Sequence, residues 1–261
     1  MESTEIKSGG EHKITVKPSV KKGLLIYFVY LAVFFSVWIV TGVNYPEIGK
    51  TLESTKLHYA LPTVLASLVV ALIITKFGWW NITLFDKKKS GPKWAWIGVI
   101  AMLLLAIGSF ARLQVGGLSL ELVFWSLLGA IGVGFGEEMI NRGTLLVGLR
   151  TRYTEGKVWL FSTLAFAALH LPNMLFGADI FPTLGQFVFA FIVGSLLYSV
   201  RRLSGSLILA MVLHGLWDSS IFLPAATGVD PWPVQAIIYP IAIVCAAAVI
   251  WKNKGNTVQT Y

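Results

Sequence analysis

Long apolar runs alternate with short polar connections along this chain. About eight runs approach the ~20 residues a helix needs to cross a bilayer. They fall roughly at 24–43, 60–80, 94–113, 120–148, 157–177, 181–200, 204–224 and 233–251. Hydrophobic residues fill these runs on all sides rather than forming a stripe, so the pattern predicts membrane-spanning helices and not surface helices. The expected fold is all-α: a polytopic transmembrane bundle in one domain, 23–252, without internal repeats. A polar segment, 1–22, is expected to be a flexible cytoplasmic leader, and 253–261 a cytoplasmic tail. The first run exceeds the ~7–15 residues of a signal-peptide core, so it reads as the first span.

Composition agrees with the pattern. The chain of 261 residues is 56% hydrophobic and 13% charged, and its mean hydropathy is +0.72. Soluble domains carry about 25% charged residues. The single cysteine, Cys245, excludes an internal disulfide and a cysteine-based metal cluster. The net charge of +8 is not a nucleic-acid footprint, because the basic residues follow the loops. Lys7, Lys13, Lys17, Lys21 and Lys22 precede the first span, and Lys87, Lys88, Lys89 and Lys93 follow the second. Arg150, Arg152, Lys157, Arg201, Arg202, Lys252 and Lys254 all fall on the same side if eight spans are correct. The opposite loops hold Lys50, Lys56 and Arg112. Basic loops mark the cytoplasmic side, which puts both termini there. Trp79, Trp80, Trp94 and Trp96 are expected at the membrane interfaces as lipid anchors.

Charges inside a membrane are costly and mark functional sites by default. The fourth run carries Glu137, Glu138 and Arg142. Glu138 and Arg142 are four apart and share a helix face, so they can pair, as a strut or as part of a site. Glu137 points about 100° away and has no charged partner on its own helix. The fifth run carries Phe166 and His170; the seventh carries His214 and Asp218, again four apart. Counted along the helices, Glu137, His170 and His214 lie at one depth, roughly 17–20 Å from the cytoplasmic face, and access from that face is expected. Each polar residue could alone serve only as a link between helices; their agreement in depth is what a purely structural role explains poorly. His12 falls in the leader and His58 near a loop, so neither joins the layer. Gly132, Gly134 and Gly136 are expected to let neighbouring helices approach closely.

These residues resemble the CPBP family, which comprises CAAX proteases and bacteriocin-processing or bacteriocin-immunity (ABI) proteins. Glu137, Glu138 and Arg142 match its EExxxR motif, Phe166 and His170 its FxxxH, and His214 and Asp218 its HxxxN/D, in order over about 120–220. The resemblance implies an intramembrane endopeptidase of glutamate type. Glu137 would activate water, His170 would help hold that water, His214 and Asp218 would form the oxyanion site, and Glu138 and Arg142 would orient it. It implies no cofactor; zinc on Glu137, His170 and His214 is a low-ranked alternative. Implied partners are the lipid bilayer and a peptide or membrane-protein substrate, with no nucleic acid. A non-catalytic immunity or scaffold protein, and a proton-coupled transporter, are the competing readings. Many relatives carry Asn where this chain has Asp218, and an ionised carboxylate cannot donate to an oxyanion. Asp218 is therefore expected to orient His214 instead.

Overall fold

The structure is a computed structural model and describes residues 14–258. Lys7, His12, Lys13 and the rest of 1–13 lie outside the described residues, as do 259–261. Eight helices among the described residues are long and apolar enough to cross a membrane. They are α1 (Val20–Thr41), α2 (Leu52–Phe77), α3 (Lys93–Phe110), α4 (Leu120–Arg150), α5 (Glu155–Phe176), α6 (Ile180–Ser204), α7 (Leu207–Ala226) and α8 (Pro233–Asn253). Exposed Val40, Leu104, Ile131, Phe181 and Trp251 stud their outward faces. Such a surface is stable only against lipid, where no water penalises apolar side chains.

Local chemistry sets the helix ends. Ser19 accepts a hydrogen bond from the Lys22 backbone N–H at 3.3 Å, so α1 starts before its apolar run. Thr51 and Ser54 form a reciprocal capping box that starts α2 about two turns ahead of its apolar run. Gly78 ends α2 in the left-handed conformation, φ 71°, which a side chain would strain.

Successive helices run in opposite directions, which gathers the connections at two ends. At one end lie the start of α1, the 85–92 loop, the α4–α5 and α6–α7 turns and the end of α8. Here the Asp86 carboxylate accepts from Arg150 at 2.7 and 3.2 Å, from Arg201 at 2.9 Å and from Arg202. Glu155 accepts from Arg150 Nε at 2.7 Å and from the Tyr198 hydroxyl at 2.7 Å. Arg150, Arg201 and Arg202, expected from the sequence as basic residues of the cytoplasmic side, are therefore buried. A guanidinium can leave water only with a partner that satisfies it, and Asp86 and Glu155 supply one. Trp79 also departs from expectation: it is fully buried, and its indole N–H donates to the Val16 carbonyl at 2.6 Å. Trp94 is exposed, as an interfacial anchor is. Cys245 is buried against Gly98 of α3.

The centre of the bundle is the contact of α4 with α7. A Cβ on Gly134 would run into the Met211 carbonyl and Gly215 of α7, and one on Gly132 into Thr63 of α2. Small residues thus let α4 sit against both neighbours, as the sequence predicts. Directly after Glu138 the α-helical ladder widens into a π-helical stretch, Met139–Leu145. Such widenings re-aim side chains and recur at functional sites.

Candidate functional site

The polar residues of three helices meet at one cavity of about 660 Å³. Glu137 reaches it from α4, Phe166 and His170 from α5, and His214 and Asp218 from α7. The registers explain the convergence. Glycine spacing brings α4 onto α7, and α5 ends in a 3-10 segment, Leu171–Phe176, that leaves His170 at its N-cap.

The two adjacent glutamates have different surroundings. Glu137 lines the cavity and makes no side-chain hydrogen bond or ion pair with the described residues. Its backbone carbonyl accepts from Asn141 Nδ2 at 2.8 Å, which joins the π-helical stretch to this turn. Glu138 is fully buried behind it. Its Oε1 accepts from Arg142 Nη1 at 2.8 Å and lies 3.0 Å from His214 Nδ1. The expected pairing of Glu138 with Arg142 is present, and it is more than a strut, because the same oxygen holds His214. Arg142 stacks on the Phe166 ring, 3.8 Å from guanidinium carbon to centroid. Its backbone carbonyl in turn accepts from Arg201 of α6. Phe166 packs edge-on against both His170, at 5.8 Å, and His214, at 5.5 Å.

His214 is oriented differently from the sequence expectation. The nitrogen held by a hydrogen bond is Nδ1, and its partner is Glu138. Nε2 lies 3.9 Å from Asp218 Oδ1, beyond hydrogen-bond reach. The i,i+4 spacing places Asp218 beside the ring but cannot aim its short side chain, whereas Glu138 approaches across the α4–α7 contact.

The opening of the cavity also corrects an expectation. Its walls include Phe34 and Trp38 late in α1, Pro46 and Ile48 in the following loop, and Pro182 and Gln186 early in α6. All belong to the end opposite Asp86. The polar layer is reached from that end, not from the basic end expected to be cytoplasmic. Counting residues along helices gives depth but not which end of the layer is packed shut, and here the Asp86 network and the side chains around it fill the basic end.

Among the polar wall residues that escaped the sequence reading are four near span edges. His58, set aside as near a loop, lines the cavity from a π-helical turn of α2, its Nε2 3.4 Å from the Thr41 carbonyl. The Gln186 side-chain carbonyl accepts from the Tyr45 hydroxyl and from Asn173 Nδ2, both at 3.2 Å. Burial pushes the Tyr45 phenol above its ordinary value, so it stays a neutral donor. Each is a single polar residue near a span edge, where depth is least readable from sequence. Among the described residues no set of three or more His, Cys, Asp or Glu side chains is disposed to hold a metal ion.

The family model for type II CAAX prenyl endopeptidase, Rce1-like, matches residues 119–220. This segment holds every motif residue named above. No curated protein and no solved structure matches the chain.

Proposed function

From the match of residues 119–220 to a protease family, which agrees with the CPBP/CAAX resemblance, we propose that this chain is an intramembrane endopeptidase of glutamate type. The observation that carries the reading is the contrast between the paired glutamates: Glu138 is tied to Arg142 and His214, while Glu137 faces the cavity without a partner. Peptide hydrolysis needs a base for water, a donor for the tetrahedral oxyanion and an acid for the leaving amine.

In this reading Glu137 takes a proton from a water in the cavity as the oxygen attacks the scissile carbonyl. The protonated Glu137 then delivers that proton to the departing nitrogen as the C–N bond breaks. His170, across the cavity, helps position the water. The oxyanion is stabilised by His214. Its Nδ1–H is committed to Glu138, so the ring serves this role when Nε2 also carries a proton. Asp218 stands beside Nε2 and balances that charge. Arg142 keeps Glu138 in place, and Phe166 holds the two imidazoles apart and in position. No metal enters the scheme, and activity is expected to survive chelators.

The test compares the membrane proteome of cells carrying wild type and Glu137→Gln. The substitution keeps the shape of the side chain and removes the base. One membrane-associated peptide or protein is expected to persist uncleaved in the variant. Identical proteomes, with full biological activity of the variant, would favour the second reading. There the buried Glu138, Arg142 and His214 cluster is the polar core of a non-catalytic immunity or scaffold protein, a role their complete burial also fits.

A further inference from the structure

The side from which the cavity is reached bears on what it cuts. The two ends of the bundle differ sharply in charge. The Asp86 end carries Lys21 and Lys22, the lysines of the 87–93 loop, Lys252 and Lys254, none of them paired with a described carboxylate. This contrast survives removal of Arg150, Arg201 and Arg202, which are buried and neutralised. At the cavity end the basic residues are few, and of these Arg112 lies over the Trp232 ring without a carboxylate partner among the described residues. Lys50 pairs with Glu47 at 2.9 Å and Lys56 with Glu121 at 3.1 Å. Glu53, Asp179 and Asp230 add further negative charge there. Lysine-rich loops stay in the cytoplasm and loops poor in them are exported. The cavity mouth therefore belongs outside.

The wall beyond the polar floor is mostly apolar, with Leu31, Phe34, Phe35 and Phe222 among its residues. Its rim at Phe189 is 45% exposed. That rim runs into the lipid-facing surface of α6 at Phe181, Leu184 and Val188, all exposed. An apolar chain lying in the outer half of the bilayer can follow this rim toward Glu137, and the polar wall residues Tyr45 and Asn173 are bonded to Gln186.

We propose that the substrate is the extracytoplasmic juxtamembrane segment of a membrane-anchored polypeptide, apolar in sequence, which reaches the site from the outer leaflet. The assignment of a cut rests on the protease reading; the side of access does not. A cytoplasmic C-terminal peptide would have no path to the cavity.

Two measurements test this, and they fail separately. In a Cys245→Ala background, Pro46→Cys at the mouth and Gly116→Cys in the exposed loop at the same end are compared with Lys88→Cys. Intact cells are treated with a membrane-impermeant maleimide. Labelling of the first two and protection of the third until permeabilisation is expected. The reverse pattern overturns the side of access, whatever the enzymatic activity. If Pro46→Cys does not accumulate, Gly116→Cys decides the same question. The second measurement maps the cut in whatever persists with Glu137→Gln. A site within or just outside the outer leaflet, in a chain that keeps its anchor, is expected. A cytoplasmic cut site, or a soluble exported peptide, overturns the substrate assignment. No persisting species overturns it together with the protease reading, and leaves the labelling result standing.

Discussion

Glu138 Oε1 lies 3.0 Å from His214 Nδ1, and this contact across the α4–α7 interface fixes which face of the imidazole meets the cavity. The same oxygen also receives Arg142. One buried carboxylate thus holds a residue of its own helix and an imidazole of another.

Replacing Glu138 should separate those two duties. Glu138→Ala leaves the Arg142 guanidinium buried and unpaired, and breaking a buried ion pair costs about 3–5 kcal/mol. Its melting temperature in detergent should fall sharply. Glu138→Gln keeps an oxygen that can accept from His214 and should be milder. Because Glu138 holds His214, turnover should fall in both variants, and further in Glu138→Ala. A Glu138→Ala protein with wild-type stability and turnover would show that the contact matters to neither.

Asp218 should tolerate amide substitution. Its carboxylate stands 3.9 Å from His214 Nε2 and makes no hydrogen bond to it. Asp218→Asn retains the volume and can itself donate to an oxyanion, so substantial cleavage is expected to remain; Asp218→Ala should lose more. Equal loss in both, measured on the species that persists in Glu137→Gln, would contradict this role.

Gly134 tests the packing that assembles the site. An alanine Cβ there meets backbone atoms of Met211 and Gly215, which cannot rotate away. Overpacking of this kind costs typically about 1–3 kcal/mol. It should also push α7 from α4 and lengthen the Glu138–His214 contact, so activity should fall along with thermal stability. Gly116→Ala, whose Cβ meets nothing within 4 Å, is the neutral control.

Asp86 should be a keystone of the basic end without affecting chemistry directly. Burial by itself would raise its carboxyl, but the guanidinium groups of Arg201 and Arg150 outweigh burial and hold it well below the usual carboxylate range. A carboxylate lowered in the folded state contributes stability above its unfolded value, near about 3.9, and loses that contribution only as pH falls through its lower folded value. Wild-type stability should therefore show no loss from this group between neutral pH and about pH 4. Asp86→Asn removes the carboxylate charge that Arg150, Arg201 and Arg202 share, leaving Glu155 to offset the cluster, and its thermal stability should drop across that whole range. A variant that melts like wild type at neutral pH would remove Asp86 from the fold's supports.

The reach of the sequence differs between the two halves of the problem. Eight spans were legible because apolar runs of this length have few alternatives in water, and the helices fall within several residues of them. The largest shift, at the start of α2, comes from the Thr51–Ser54 capping box, a local hydrogen-bond effect that hydropathy does not register. Buried Trp79 and the paired Arg150, Arg201 and Arg202 could not be told from interfacial residues, since their composition and position are those of a membrane boundary.

By itself the sequence determined the helical bundle, the glycine-lined approach to Glu137, the Glu138–Arg142 pair and the polar layer formed by Glu137, His170, His214 and Asp218. Each follows from spacing along one helix or from depth within a span, quantities measured by residue counting. Only the tertiary structure decided that Glu138 rather than Asp218 holds His214, that His58, Asn173 and Gln186 join the wall, and that the cavity opens away from Asp86. These depend on how helices rotate and tilt against each other. A turn of an α-helix spans only about 5.4 Å, so a modest rotation exchanges one partner for another, and that rotation is set by close packing between chain segments far apart in sequence.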